Sequence, residues 1–205
     1  MATQTRRRRV FIAAAVLAAA VGGAGAGVLA TSAQPGPSPA RAFPGFPKFL
    51  AQAAPASWPQ RGLPDRSAVL SYPPALHPIP GDTDAISVAS RSPAGAYLLY
   101  LNATPRQGAE TLRHWAAFRL HLLGEDDASL VHLDAAATGL AFRGGTGSCV
   151  IDDYVTRIGV HHYREIACLV QGQTAASVVV GTAPASRWAQ AGPLLERAVA
   201  AYRVR

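Results

Sequence analysis

The two cysteines are the most specific chemical feature of the chain. Cys149 and Cys168 are the only cysteines among 205 residues, and they lie symmetrically about a predicted turn at Ile158-Gly159. A chain with two cysteines that leaves the cytoplasm joins them by default. We therefore predict a disulfide between Cys149 and Cys168.

Direct pairing of the cysteines across a hairpin brings other complementary side chains together. The same register matches Ile151 with Ile166, Asp153 with Arg164, and Tyr154 with Tyr163. A hydrophobic pair, an ion pair and an aromatic pair are each favourable across two strands. Ile158 is a poor residue for a two-residue turn that prefers positive φ, so a bulge at Gly159 that shifts the register by one is the alternative.

Two doublets of titratable residues flank this predicted turn, Asp152-Asp153 and His161-His162. Neighbouring residues of a strand point to opposite faces, so neither doublet can direct both side chains at one metal ion. Asp153 and His162 could share a face, but Arg164 lies opposite Asp153 and would repel a cation. No catalytic residue, metal ligand or cofactor is therefore predicted.

The second half of the chain reads as strands and helices in alternating groups. Ile86–Val88 and Tyr97–Leu101 predict a hairpin, and Thr104-Pro105 with Gln107 has the pattern of a capped helix start. The apolar face of this first helix would consist of Leu112, Trp115, Phe118 and Leu122. Strands are then predicted at Leu130–Leu133, Gly139–Phe142, Cys149–Thr156, His161–Val170 and Ser177–Val180. A last helix beginning near Ser186 would bury Trp188, Ala191, Leu195, Val199 and Tyr202, with a kink or restart at Pro193.

This order of elements resembles the PsbP and Mog-like α/β/α sandwich, which also occurs in exported actinobacterial lipoproteins of the LpqN type. The resemblance covers about residues 84 to 203 and depends on Trp115 in the first helix and on Trp188 and Tyr202 in the last. It implies an α+β fold in which an antiparallel sheet packs against two helices. It also implies a binding or support module rather than an enzyme, and it assigns no binding residue.

The N-terminal residues 1–33 have the composition of an export segment. Arg6 to Arg9 precede Val10 to Ala30, which contain no charged residue. As a helix these 21 residues would span about 31 Å, enough for the hydrocarbon core of a bilayer. The arginines would stay in the cytoplasm and the rest would cross. Thr31-Ser32-Ala33 also fits a cleavage site, so a signal peptide and a transmembrane anchor both remain open.

Residues 34–80 are predicted to form a linker before an exported domain at residues 81–205. Twelve of the 16 prolines lie at or before Pro80, although Ala68–Leu70 could add an edge strand to the domain. Phe43, Phe46 and Phe49 recur every third residue, which would align three rings on one side of a polyproline II helix. They are either a docking stripe for a partner or a membrane surface, or residues that touch the surface of the domain or are simply tolerated.

The charge of the chain argues against nucleic-acid binding. Residues 1–80 carry eight Lys or Arg and one acid, whereas residues 81–205 carry eleven Arg and eleven acids and are neutral. A nucleic-acid-binding domain carries its excess positive charge on the folded part. We expect a secreted or membrane-anchored, non-catalytic domain that binds a protein or small ligand at the cell surface, through the helix-free parts of its sheet and the linker phenylalanines Phe43, Phe46 and Phe49. The alternative is a small extracytoplasmic hydrolase or metal-dependent enzyme that uses Asp153 and His162.

Overall fold

The computed structural model describes residues 41–42, 46–126 and 128–205, which form an α/β/α sandwich. The strands are β1 (Arg41–Ala42), β2 (Gln60–Gly62), β3 (Ala68–Ser71), β4 (His77–Pro78), β5 (Ile86–Arg91), β6 (Tyr97–Pro105), β7 (Ala128–Phe142), β8 (Gly145–Thr156), β9 (His162–Gln171), β10 (Ala176–Pro184) and β11 (Arg203–Val204). The α-helices are α1 (Trp115–Asp126) and α2 (Trp188–Ala200), and a 3-10 turn at Ala185–Arg187 precedes α2.

The predicted export segment at residues 1–33 lies outside the described residues. Within the described ranges, every helix is too short or too polar to cross a bilayer.

One large antiparallel sheet forms the middle layer of the sandwich. Its eight strands follow the order β1-β7-β8-β9-β10-β6-β5-β4, and a smaller sheet has the order β11-β3-β2. Helix α1 packs against β7, β8 and β9, whereas α2 packs against β10 and β9. The two helices cover opposite faces, because the apolar residues beneath them form two separate clusters. The predicted antiparallel α+β architecture with two packing helices is confirmed.

The predicted register of the central hairpin is confirmed. Cys149 pairs with Cys168, and the three other predicted pairs follow in the same register. The cysteines are joined by a disulfide, and both are fully buried on the face that α2 covers.

The loop of this hairpin explains how Ile158 is accommodated. The amide of Thr156 donates to the carbonyl of His161 at 2.9 Å, which leaves four residues in the loop rather than two. Positive φ values fall on Gly159 and Val160 (81° and 48°) and not on Ile158. The longer loop therefore keeps Ile158 out of a positive-φ conformation without shifting the register of the strands.

The predicted start of the first helix at Thr104 is wrong. Residues Asn102 to Pro105 continue β6 and pair with β10, and the helix begins at Trp115. Ala103 is completely buried in this strand. Pairing and burial across the sheet thus outweigh the local capping signal, which contributes about 1 kcal/mol in general. The two strands predicted before the central hairpin are also one bulged strand, β7.

The folded part of the chain begins earlier than the boundary predicted near Gly81. The segment from residue 46 to residue 80 contributes β2, β3 and β4, and it buries Leu63, Leu70 and Leu76. All its prolines except Pro78 lie outside these short strands, and Pro78 lies in the edge strand β4. Dense proline is compatible with short edge strands, since an edge strand does not need every backbone donor.

The last helix agrees with its predicted apolar face except at Trp188, which is only partly buried. Ala191, Leu195 and Val199 are buried in α2, and Tyr202 is buried directly after it. Pro193 lies inside α2 on its exposed side without ending the helix.

Candidate functional site

A row of four polar side chains crosses the middle of the large sheet on the face that α1 partly covers. The row consists of Tyr100 on β6, Thr182 on β10, Glu165 on β9 and Asp152 on β8, each directly opposite the next. Residues that are directly opposite in neighbouring strands point to the same face. Central strands are usually apolar on a helix-covered face, so this polar row is the most unusual feature of the core.

Glu165 is buried but fully partnered. The guanidinium of Arg119, from α1, contacts its Oε1 at 2.6 and 2.7 Å through Nη2 and Nε. The hydroxyl of Thr182 donates to its Oε2 at 3.3 Å. An ion pair with additional hydrogen bonds is what a buried carboxylate requires. Arg119 therefore balances one negative charge in the polar row.

Asp152 is buried without such partners. Its exposed fraction is 0%, and neither carboxyl oxygen has a hydrogen-bond partner in the described part of the chain. Burial, followed by the charge of Glu165, raises the pKa of Asp152 to about 9, against the lowering effect of Arg119. At neutral pH the Asp152 carboxyl therefore holds a proton, and Glu165 with Arg119 forms the charged pair beside it.

Four tyrosines, one of them Tyr100 of the polar row itself, lie close to the row. Tyr154 and Tyr163 pair in the next position of the hairpin, with ring centroids 5.9 Å apart. Tyr97 and Tyr100 lie across the sheet, with ring centroids 5.6 Å apart. All four are partly exposed. We call the surface formed by Tyr97, Tyr100, Tyr154 and Tyr163 the tyrosine face.

The tyrosine face consists of neutral hydroxyls and aromatic rings. Burial raises the pKa values of Tyr100, Tyr154 and Tyr163, so their phenols stay protonated well above neutral pH. The guanidinium of Arg91 donates to the hydroxyl of Tyr97 at 2.7 Å and lies 4.6 Å from its ring centroid. The face thus already accepts one cation against an aromatic ring.

The residues of the alternative enzyme hypothesis lie on the opposite face of the sheet. His162 Nε2 lies 3.3 Å from Asp153 Oδ1, as their predicted common face requires. Arg164 contacts Asp153 at 2.9 Å and also contacts Asp134. The guanidinium occupies the space where these carboxylates converge, and in the described ranges no three His, Cys, Asp or Glu residues are grouped to hold one metal ion.

Two open hollows lie away from Asp153 and His162, and Arg91, which contacts Tyr97, lines the larger one. The larger has a volume of about 450 Å³ and is lined by Ala75, His77, Ile79, Pro80, Ala89, Ser90 and Arg91. The smaller has a volume of about 170 Å³ and is lined by Ser90, Leu98, Leu99, Arg187, Gln190, Ala191 and Leu194. Neither hollow contains Asp153 or His162, so neither is the concave pocket that the enzyme hypothesis requires.

Two of the three predicted docking phenylalanines pack within the fold. Phe46 and Phe49 lie partly buried against the larger apolar cluster, and the ring centroid of Phe49 is 4.8 Å from that of Phe142. Phe43 lies outside the described residues. These positions fit contact with the domain surface, and a docking role for the phenylalanines stays a prediction.

Sequence reasoning missed the polar row, although part of the signal was present. The register that pairs Cys149 with Cys168 also places Asp152 opposite Glu165, and that like-charge pair is detectable from the sequence. The partnership of Glu165 with Arg119 joins residues 46 positions apart and depends on where α1 lies. It has no local signature in the sequence.

Comparison with known proteins identifies the fold and not an activity. No family model and no curated protein matches the sequence. Among solved structures, cyanobacterial PsbP (CyanoP) from Synechocystis matches with a TM-score of 0.52 at 11% identity, over 74% of this chain and 95% of that chain. LpqN, a protein involved in cell envelope biogenesis of Mycobacterium tuberculosis, matches with a TM-score of 0.31 at 11% identity, over 82% and 92%.

A protein from Bacteroides thetaiotaomicron matches with a TM-score of 0.44 at 15% identity. The match covers 71% of this chain but 48% of the Bacteroides protein, about half of its length. Identities this low establish the fold alone. The resemblance predicted from the order of elements is confirmed at that level: the chain has a PsbP-like fold.

Proposed function

We propose that this protein is an exported, non-catalytic domain that binds a protein or small ligand through its tyrosine face. The single observation that supports this proposal best is the group of four partly exposed tyrosines beside the polar row. Tyrosine is enriched at binding sites because its ring offers a large apolar area and its hydroxyl offers a hydrogen bond.

Export is supported by two independent features. The disulfide between Cys149 and Cys168 is typical of proteins in oxidising compartments. The arginine-headed apolar segment at residues 1–33 supplies a signal peptide or a membrane anchor with the folded domain outside. Cell membrane or secreted location therefore remains part of the proposal, with the bilayer as a partner if the segment is not cleaved.

A binding role has more support than the hydrolase or metal-enzyme alternative. That alternative needs Asp153 and His162 free to act on a substrate, whereas Arg164 holds the Asp153 carboxylate. On the tyrosine face, the recorded cation contact is that of Arg91 with Tyr97. We therefore propose that the protein recognises a ligand rather than catalysing a reaction.

Site-specific photo-crosslinking in the producing cells tests this proposal. The full-length protein would carry p-benzoylphenylalanine in place of Tyr97 or Tyr163, and intact masses would be measured after irradiation. The matched control carries the same residue in place of Ala189, which is exposed on α2. We expect a defined adduct from the tyrosine positions and none from position 189. The same adducts from all three positions, or no adduct from either tyrosine position, would contradict the proposal.

A further inference from the structure

We propose that the polar row beneath the tyrosine face binds the ammonium group of a ligand, with Asp152 as the counter-ion and tyrosine rings beside the cation. This inference deepens the proposed function, because it names the chemical class that the tyrosine face recognises. It depends on three observations about charge, access and aromatic surroundings.

The first observation is a buried carboxyl group without a hydrogen-bond partner. The polar row holds two carboxyl groups, Asp152 and Glu165, with exposed fractions of 0% and 1%. One guanidinium, that of Arg119, contacts Glu165. Neither oxygen of Asp152 has a partner in the described part of the chain. Buried polar groups in native structures are normally satisfied, and an orphaned one indicates a missing partner or a functional role.

The second observation is the position of the unpartnered Asp152 carboxyl relative to the partly exposed tyrosine face. Tyr154 follows Asp152 on the same face of β8, and it pairs with Tyr163. Both rings are only partly buried. Since Asp152 has no exposed surface, a ligand reaches it from this side by displacing one of the two rings. The displaced ring then stays against the bound cation.

The third observation is the fit of an ammonium group to these surroundings. Aromatic rings and carboxylates together form the usual environment of alkylammonium ligands. A divalent metal needs more oxygen ligands than two carboxyl groups, one of which already contacts Arg119. Arg91 sets a precedent on the same surface, because its guanidinium stacks on Tyr97. Tyr97 lies on β6, three strands from Asp152, or about 14 Å at the usual strand spacing.

Binding of an ammonium group releases the proton of the Asp152 carboxyl. Without ligand the Asp152 carboxyl is protonated, because it faces Glu165 on β9 and its burial opposes ionisation. The other charged or titratable groups around it are Arg119 on α1, Tyr154 and Asp153 on β8, and Asp134 on β7. When an ammonium binds, the proton leaves Asp152 and the cation takes its place. Affinity must therefore rise with pH up to the pKa of Asp152.

The test uses purified full-length protein and two ammonium probes. These are n-butylammonium and a short peptide with one lysine and a blocked N-terminus, and n-butanol serves as the uncharged control. Tyrosine ring signals would be followed by NMR during titrations at pH 6, 7 and 8. We expect the apparent Kd of each ammonium probe to fall about tenfold per pH unit, as proton linkage requires. We expect n-butanol to leave the signals unchanged. Tighter binding of the peptide assigns the site to a polypeptide ligand, and tighter binding of butylammonium assigns it to a small amine.

A pair of neighbouring variants provides the matched control. Asp152→Asn removes the counter-ion and should weaken ammonium binding at least tenfold at pH 8. Asp153→Asn alters the adjacent carboxylate on the other face and should not weaken binding, since the charge of Asp153 only adds to the raised pKa of Asp152. Equal binding by wild type and Asp152→Asn, or pH-independent binding by wild type, would overturn the inference. The wild-type pH series decides the matter even if Asp152→Asn does not fold.

Failure of this inference and failure of the proposed function have different signatures. If ammonium probes do not bind but photo-crosslinks form at Tyr97 or Tyr163, the ammonium site is wrong and the tyrosine face still binds a partner. If ammonium binding occurs without any crosslinked partner in cells, the ligand site stands and the proposed role in the producing cells falls.

Discussion

The two faces of the β8–β9 hairpin are both buried but differ in the kind of side chain that they bury. On the α2 face, the disulfide and the Ile151–Ile166 pair join a large continuous apolar core. On the α1 face, the same two strands present Asp152 opposite Glu165 within a smaller apolar cluster. The α2 face is stabilised by a disulfide and apolar contacts. The α1 face is stabilised by the ion pair of Arg119 with Glu165 and by protonation of Asp152. The comparison indicates that the α2 face stabilises the fold. On the α1 face, burial of two carboxyl groups costs stability, as is common at functional sites.

Asp152 and Asp153 show the same contrast within two consecutive residues. Asp153 is partly exposed and contacts Arg164 and His162. Asp152 points to the other face and has no hydrogen-bond partner in the described ranges. Two identical residue types thus differ completely in environment because successive side chains of a strand alternate between faces.

The largest loss of stability should come from removing Arg119. Arg119→Met leaves the Glu165 carboxylate buried without its counter-ion, and we expect a loss of about 3–5 kcal/mol in the free energy of unfolding. Urea denaturation measures this loss. The double variant Arg119→Met with Glu165→Gln removes both charges and should recover a substantial part of it. A single variant as stable as wild type would mean that the α1 face does not depend on this ion pair.

On the α2 face, the corresponding disruption is removal of the disulfide. Replacing both cysteines by alanine frees the loop between residues 149 and 168, and we expect a loss of about 2–4 kcal/mol. Wild-type protein denatured with and without reductant provides the control, because reduction should cause a similar loss. An unchanged midpoint after complete reduction would contradict a stabilising role for the disulfide.

The pH dependence of stability separates the two faces further. Folded Asp152 keeps its proton up to a pKa of about 9, whereas an ordinary aspartate loses it near 3.8. At a pH between 3.8 and about 9, unfolding therefore releases a proton from Asp152. As a result, Asp152 lowers the free energy of unfolding as the pH rises through this range. The slope it contributes approaches about 1.4 kcal/mol per pH unit.

Asp152→Asn should remove that slope. We expect the variant to be more stable than wild type at pH 8 and to lose this advantage toward pH 5. Thermal or urea unfolding at several pH values measures the difference. Parallel pH curves for variant and wild type would show that Asp152 is ionised in the folded protein.

The smallest effect should follow from Asp153→Asn. This carboxylate belongs to a partly exposed ion pair, and such pairs contribute about 0–1 kcal/mol. We expect a change of about that size in urea denaturation, reduced further at high salt. A loss as large as that of Arg119→Met would mean that the Asp153–Arg164 contact is a main support of the α2 face.

The sequence predicted the elements whose signals repeat along the chain or reinforce each other. The register of β8 and β9 was predictable because four pairs of side chains agreed on it. The buried stripe of α2 was predictable from the spacing of Ala191, Leu195 and Val199. The helix start at Thr104 was mispredicted because a capping pattern of a few residues was weaker than pairing with a distant strand.

Thus the sequence by itself determined the α+β class, the PsbP-like order of elements, the disulfide and the hairpin register. These follow from periodicity and from pairs that are symmetric about one turn. Only the tertiary structure decided that residues 46–80 join the fold, that Arg119 serves Glu165, and that Asp152 is left without a partner. Those outcomes depend on which distant elements come together, since burial and charge balance are properties of the packed molecule and not of any segment.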